Sequence, residues 1–256
     1  MIHPSSVISD NAKIGKDVKI GPFCYIGDNV EIGDGCVLRS HVVINGHSKI
    51  GKNNEFFQFC SVGEDCQDKK YAGEDTYLEI GDDNIFRESC TIHRGTTQDN
   101  SVTKIGSRSL FMVNTHIAHD CVIGNDNVLA NNATLAGHVH VGDFVILGGM
   151  TAVHQFCKIG SHAFTGGGAI LLKDLPPYVM YSGTKHVPQG INNEGLKRRG
   201  FSAQAVSNIK QAYKTIYRQN NTLEEAELLI AEKAKSNDEL VVIAQFFKDS
   251  TRGIAR

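Results

Sequence analysis

His119, Asp120, His138 and His154 carry side chains that exchange protons or hold metal ions, and their spacing is regular enough to gather them. In steps of eighteen, Ala118, Ala136 and His154 fall into one column, His119, Gly137 and Gln155 into the next, and Asp120, His138 and Phe156 into a third. If such residues stack at the spacing of neighbouring strands, all four reactive side chains share one outward patch roughly 10 Å across. Imidazole titrates near neutrality, so one of these histidines could take a proton from a hydroxyl group at physiological pH. Zinc is a second possibility, with His116-x-x-His119 and His138-x-His140 as candidate ligand pairs. Alternate residues on such a face diverge, and no Cys or Glu completes an obvious set. Histidines that merely decorate a solvated face remain a third reading.

The stacking follows from a repeat. An aliphatic or aromatic residue recurs every sixth position from Ile2 through Ile8, Ile14 and Ile20 to Val62, again at Ile80, Phe86 and Ile92, and from Ile105 to Ile159. It misses once, at Thr165, and returns at Leu171. A period of six is neither that of a helix nor that of an alternating strand; it is that of a hexapeptide β-helix, one inward side chain per short strand. If three hexads make one coil, residues eighteen apart stack on successive coils. Glycine often follows the inward residue (Gly15, Gly33, Gly51, Gly124), as expected of a corner with unusual backbone angles or close approach of neighbouring coils.

Two polar stretches interrupt the hexads, near residues 64–78 and 94–103, and are expected to leave the coil as loops, where binding tends to reside. After Pro176-Pro177 the period changes. Val206, Ile209, Tyr213, Ile216 and Tyr217 fall at helical spacing, and Thr222-x-x-Glu225 and Ser236-x-x-Glu239 read as capping boxes. The expected organisation is therefore a β-helix over 1–190 and a unit of about three helices over 191–256, covering the open end of the stack.

The chain has 256 residues and a net charge of −2, which suggests neither nucleic acid nor an anionic membrane as partner. From Asn192 onward 11 Lys/Arg face 8 Asp/Glu, a local +3. Seven scattered cysteines without a Cys-x-x-Cys pair argue against a disulfide framework or structural zinc and for a reducing compartment. The repeat starts at Ile2 with no signal-peptide pattern, and no stretch has the roughly twenty apolar residues of a membrane span, so a cytoplasmic location is expected.

Several longer motifs carry a resemblance. The loop Gln67-Asp68-Lys69-Lys70-Tyr71-Ala72-Gly73, Thr91-Ile92-His93-Arg94-Gly95-Thr96, His116-Ile117-Ala118-His119-Asp120, Ala130 to His138, Val153-His154-Gln155-Phe156-Cys157 and Asn193 to Phe201 are similar to the UDP-N-acetylglucosamine O-acyltransferase family, which opens lipid A biosynthesis. The match spans nearly the whole chain. It implies a left-handed parallel β-helix with a small C-terminal α-helical domain, and a homotrimer with active sites between subunits. It also implies transfer of a (3R)-3-hydroxyacyl group from acyl carrier protein to the 3-hydroxyl of UDP-N-acetylglucosamine, with no cofactor beyond the donor's own phosphopantetheine and no metal.

By the same resemblance His119 is the general base, Asp120 orients it, and the backbone N–H of Gly137 stabilises the oxyanion. His116, His138 and His154 match positions that line the substrate site, and Asp68 and Lys70 match a loop that reaches a neighbour's site. Gln155, Asn192, Glu194, Arg198 and Arg199 match positions near the nucleotide or phosphopantetheine. Gly167 matches the residue that limits acyl-chain length; a glycine there implies longer chains. Lys210, Lys214 and Arg218 extend the positive character toward an acidic carrier protein. Two positions depart from the pattern: Lys69 replaces an apolar residue, and the histidine near Lys185-His186 is displaced by one. A 3-amino sugar acceptor and a zinc-dependent β-helix of the carbonic-anhydrase type are the alternatives.

Overall fold

The computed structural model describes residues 1–256. The chain forms a left-handed parallel β-helix of triangular section, its walls three sheets of nine, eight and ten short strands visited in rotation and parallel except for the final strand of the ten. Strand partners are eighteen residues apart where the repeat is unbroken: His116 pairs with Thr134, Thr134 with Ala152, and Ala152 with Ile170. Across the first loop the offset is thirty (Ser61 with Thr91), and across the second it is twenty-five (Thr91 with His116). Each loop thus adds chain length without disturbing the stack.

The hexad residues fill the prism. Phe56, Phe86 and Phe111 stack with ring centroids 4.7 Å apart and planes within 5°, the spacing of neighbouring strands. Thr165, the one miss, is fully buried in its inward slot, where its hydroxyl meets Thr151 Oγ1 at 2.8 Å and accepts the Gly148 N–H at 3.0 Å. All seven cysteines are buried and unpaired, so they serve as small core residues.

The corners differ from expectation. The left-handed backbone falls two residues after the glycine, largely on other residue types: Asp17, Asn53, Asp83, Asp126, Phe144 and His162 along one edge have φ between 54° and 63°. Asn and Asp tolerate this region best. The glycine after the inward residue answers to the other requirement, close approach: a Cβ on Gly33 would lie 2.5 Å from the Gly51 carbonyl oxygen of the next coil.

The last wall strand, Val179–Tyr181, pairs antiparallel with Pro188–Ile191, which closes the sheet edge before the helices begin. Four helices follow, not three: α1 (Asn193–Arg198), α2 (Ala203–Tyr217), α3 (Leu223–Ala234) and α4 (Asp238–Asp249). A six-residue helix with one buried side chain, Leu196, is too short to show a period, which is why α1 was not visible in the sequence pattern. Thr222 and Glu225 form the expected capping box. Ser236 does not; Asn237 occupies the N-cap of α4 and makes no side-chain cap bond. The helices have their own apolar core around Ile209, Ile230, Ile243 and Phe247, tied to the prism where the Tyr178 hydroxyl donates to the Glu239 carbonyl at 3.0 Å. None of the helices is long and apolar enough to cross a membrane.

Candidate active site

One corner of the prism, between the nine- and eight-stranded sheets, gathers both loops and five of the predicted residues, His119, Asp120, Gly137, His138 and Gln155. The loops depart there on successive coils, after Ser61–Glu64 and after Thr91–His93; the next three coils turn the same corner through His119-Asp120, Gly137-His138 and Gln155-Phe156. Asp120, His138 and Phe156 take the left-handed conformation, with φ of 57°, 61° and 65°. That turn solves a geometric problem: neighbours on a strand diverge, but in this corner His119 Nδ1 reaches Asp120 Oδ2 at 2.9 Å.

The Asp120 carboxylate is buried and fully engaged. Oδ1 accepts the Thr96 N–H at 2.9 Å, Oδ2 accepts the Thr96 hydroxyl at 2.6 Å as well as the imidazole, and the Asp120 N–H donates to Thr103 Oγ1 at 2.8 Å. Burial alone would raise its pKa, but the hydrogen bonds from His119 and Thr96 and the nearby His138 outweigh it and hold the carboxyl below its ordinary value. An anionic acceptor at Nδ1 places the hydrogen there, so Nε2 of neutral His119 carries the free lone pair. The His119 side chain is 14% exposed, enough for a small group to reach it.

Gly137 lies one coil beyond. A Cβ built on it would meet His119 Cε1 at 2.5 Å and Nε2 at 2.6 Å, so the backbone there lies against the imidazole because it bears no side chain. Its carbonyl accepts the Phe156 N–H at 3.1 Å, and its own N–H is bonded to no group of the chain. The His138 ring meets that of His119 edge-on at 5.0 Å, stacks on Phe156 at 4.3 Å, and bonds Asp99 Oδ2 through Nδ1 at 2.9 Å. His119, Asp120 and His138 offer ligand atoms within 4.8 Å of one another. Each imidazole Nδ1 already has a carboxylate partner, so the group is built as hydrogen-bonded pairs.

Other predicted residues are nearby or elsewhere. His116 bonds Thr91 Oγ1 at 2.8 Å and meets the His93 ring edge-on at 5.4 Å; burial, then the neighbouring imidazoles, lower its pKa. His154 is exposed and turns to its own neighbour, the Gln155 carbonyl, at 3.1 Å. Asp68 and Lys70 ride the first loop, where Asp68 Oδ1 accepts the Lys70 N–H at 3.0 Å. Buried Arg94 pins that loop through Gly63, Asp65 and the Tyr71 hydroxyl. Asn192, Glu194, Arg198 and Arg199 do not join His119 within the chain. Asn192 is the N-cap of α1 and donates to the His162 carbonyl at 3.0 Å, and Arg199 lies 5.1 Å over the Phe144 ring. Those aromatic rings mark another corner, between the eight- and ten-stranded sheets. Gly167 is on the third corner, exposed, at the far edge of the sheet that carries His116. Thr96, Asp99 and Thr103 were missed by sequence reasoning because the second loop lies outside the hexad register that assigns columns.

Known proteins match the chain over its full length. The family model described as "Udp N-acetylglucosamine O-acyltransferase; Domain 2" matches residues 174–255, and the bacterial transferase hexapeptide model matches 11–46 and 103–137. LpxA from Acinetobacter baumannii is 51% identical over 100% of this chain and 99% of its own, with a TM-score of 0.97. The enzyme from Moraxella catarrhalis RH4 is 46% identical over 100% and 99% (TM-score 0.97), and that from Francisella novicida 44% identical over 100% and 94% (TM-score 0.98). With full-length identity at this level on a superimposable fold, the chain belongs to the UDP-N-acetylglucosamine O-acyltransferase family.

Proposed function

We propose that the protein transfers a (3R)-3-hydroxyacyl group from acyl carrier protein to the 3-hydroxyl of UDP-N-acetylglucosamine, the first step of lipid A biosynthesis, with His119 as general base. The observation that carries the mechanism is the His119–Asp120 pair packed against the bare backbone of Gly137. Nε2 of His119 takes the proton of the sugar hydroxyl as its oxygen attacks the thioester carbonyl. Negative charge gathers on the carbonyl oxygen, where the Gly137 N–H donates to it. As the intermediate collapses the C–S bond breaks, and the phosphopantetheine sulfur leaves with the proton returned by the imidazolium. Asp120 keeps Nδ1 protonated and the ring in place throughout.

The remaining roles are read across a subunit boundary, in the homotrimer that the family resemblance implies. Asn192, Glu194, Arg198 and Arg199 lie on a different corner from His119, so a homotrimer with sites between subunits unites them: one protomer's His119 corner, the other's α1, and Asp68 and Lys70 from a loop. His116, His138, His154 and Gln155 line the sugar and donor. Gly167, at the far edge of the nine-stranded sheet, limits the length of the acyl chain.

Mass spectrometry of product formed from UDP-N-acetylglucosamine and a panel of 3-hydroxyacyl carrier proteins tests the reading. Wild type is expected to form an O-acylated sugar nucleotide, and His119→Ala to lose about 10²–10⁴-fold in turnover without losing its fold. Full activity in that variant, or product only from a 3-amino acceptor, would overturn it.

A further inference from the structure

The geometry points to Asp99 as a positioning residue that keeps His138 from competing for the carboxylate serving His119; this rests on His119 being the base. The competition is visible in the distances. Asp120 Oδ2 already accepts from Thr96 Oγ1 at 2.6 Å and from His119 Nδ1 at 2.9 Å, and His138 Nδ1 lies only 3.8 Å from the same oxygen. Two donors fill the lone pairs of that oxygen, so a third displaces one of them. Oδ1 gives no relief, because it holds the Thr96 N–H at 2.9 Å.

Asp99 removes the competitor. Its Oδ2 takes the His138 Nδ1 hydrogen at 2.9 Å, while its Oδ1 accepts from the Asn100 side chain at 2.8 Å, which sets the carboxylate's orientation. The His138 ring is held flat on Phe156, with planes within 8°, so its plane is fixed independently of Asp99. Take Asp99 away, and the nearest carboxylate to His138 Nδ1–H is Asp120. A small in-plane rotation on the Phe156 face then completes the 3.8 Å contact and weakens the bond that orients the base. Asp99 also decides which nitrogen of His138 faces outward without a hydrogen when the ring is neutral: Nε2. The two histidines thereby each have a private carboxylate, and the second loop supplies one of them.

The test uses the full-length protein, with saturation kinetics in both substrates and ¹⁵N-histidine NMR of the same samples. Asp99→Ala is expected to lower kcat about 10-fold with little change in KM, a fraction of what a positioned base contributes. Asp99→Asn, whose amide oxygen still accepts from Nδ1, is expected to recover most of that loss. In a His138→Ala background, Asp99→Ala is expected to do nothing further, because its effect passes through His138. NMR is expected to show His138 protonated on Nδ1 in wild type and His119 losing its fixed tautomer in Asp99→Ala; this readout does not depend on turnover. An equal loss in both backgrounds would mean that Asp99 only orders its loop, and an unchanged tautomer pattern or wild-type kcat in Asp99→Ala would overturn the proposal. These outcomes leave the His119 reading standing, which fails only if His119→Ala remains active.

Discussion

A methyl group on Gly137 and one on Gly167 have opposite prospects, although both glycines lie on the prism's edge. At Gly137 the Cβ would overlap the His119 ring at 2.5–2.6 Å, so the imidazole must swing away or the backbone must give. Displacing a reacting group by about 1 Å can cost about 10²-fold in rate, so Gly137→Ala is expected to lower kcat by about that factor. Gly137 is buried against His119 at the prism's corner, outside the inward-facing apolar stack, so the melting temperature is expected to fall by a few degrees at most while activity bears the main loss. At Gly167 the only neighbour within 4 Å of a Cβ is the Gly149 carbonyl oxygen, at 3.4 Å, an ordinary contact. Gly167→Met is therefore expected to fold and to shift the preferred donor toward shorter 3-hydroxyacyl chains, read from the same product panel. An unchanged chain-length profile would remove Gly167 from the acyl path.

Between residue and whole lies the column of rings on the edge that holds α1. His162 stacks between Phe144 (4.9 Å) and Tyr178 (5.4 Å), with Phe201 edge-on at 5.1 Å. Burial, and then the charge of Arg199, push its pKa down to about 4 from an ordinary 6.5, and its Nδ1 is buried without a partner. The unfolded chain thus binds a proton here between pH 6.5 and 4 that the folded chain refuses, so stability falls as pH drops through that window. His162→Phe keeps the stack and removes the titrating group. Its melting temperature is expected to gain on wild type progressively as pH falls from 6.5 to 4; a constant difference across that range would show that His162 is not the group involved. The Asp120 carboxyl, also held low, loses its contribution on acidification in both proteins and cancels in the comparison. This element scale is also where the sequence was most readable. Hexads counted by eighteen put His119, Gly137 and His138 at one corner because every side chain's height and face follow from its number. The loops have no such rule. Nothing in Thr96-Thr97-Gln98-Asp99 shows that Thr96 grips Asp120 or that Asp99 meets His138, since both contacts depend on how an irregular segment folds back. The corner conformation that turns Asp120 toward its neighbour was equally hidden, being fixed by φ and not by residue type.

At the scale of the molecule, His119 and α1 occupy different corners of one prism, so no rearrangement of a rigid stack brings them together; a symmetric neighbour can. This predicts complementation between inactive variants. On the proposed roles, His119→Ala lacks the base, and Arg198→Ala with Arg199→Ala lacks the cationic side of the site. A site formed by the His119 corner of the second protein and α1 of the first contains every group. In a closed ring of three, any mixed trimer has one such interface, and random mixing of equal amounts makes about three-quarters of the trimers mixed, so about a quarter of all sites are whole. Unfolding and refolding the two variants together is expected to restore activity toward that fraction of wild type, while mixing them already folded is expected to restore little. Recovery no greater than the sum of the separate variants would place both halves of each site in a single chain and remove the need for a neighbour.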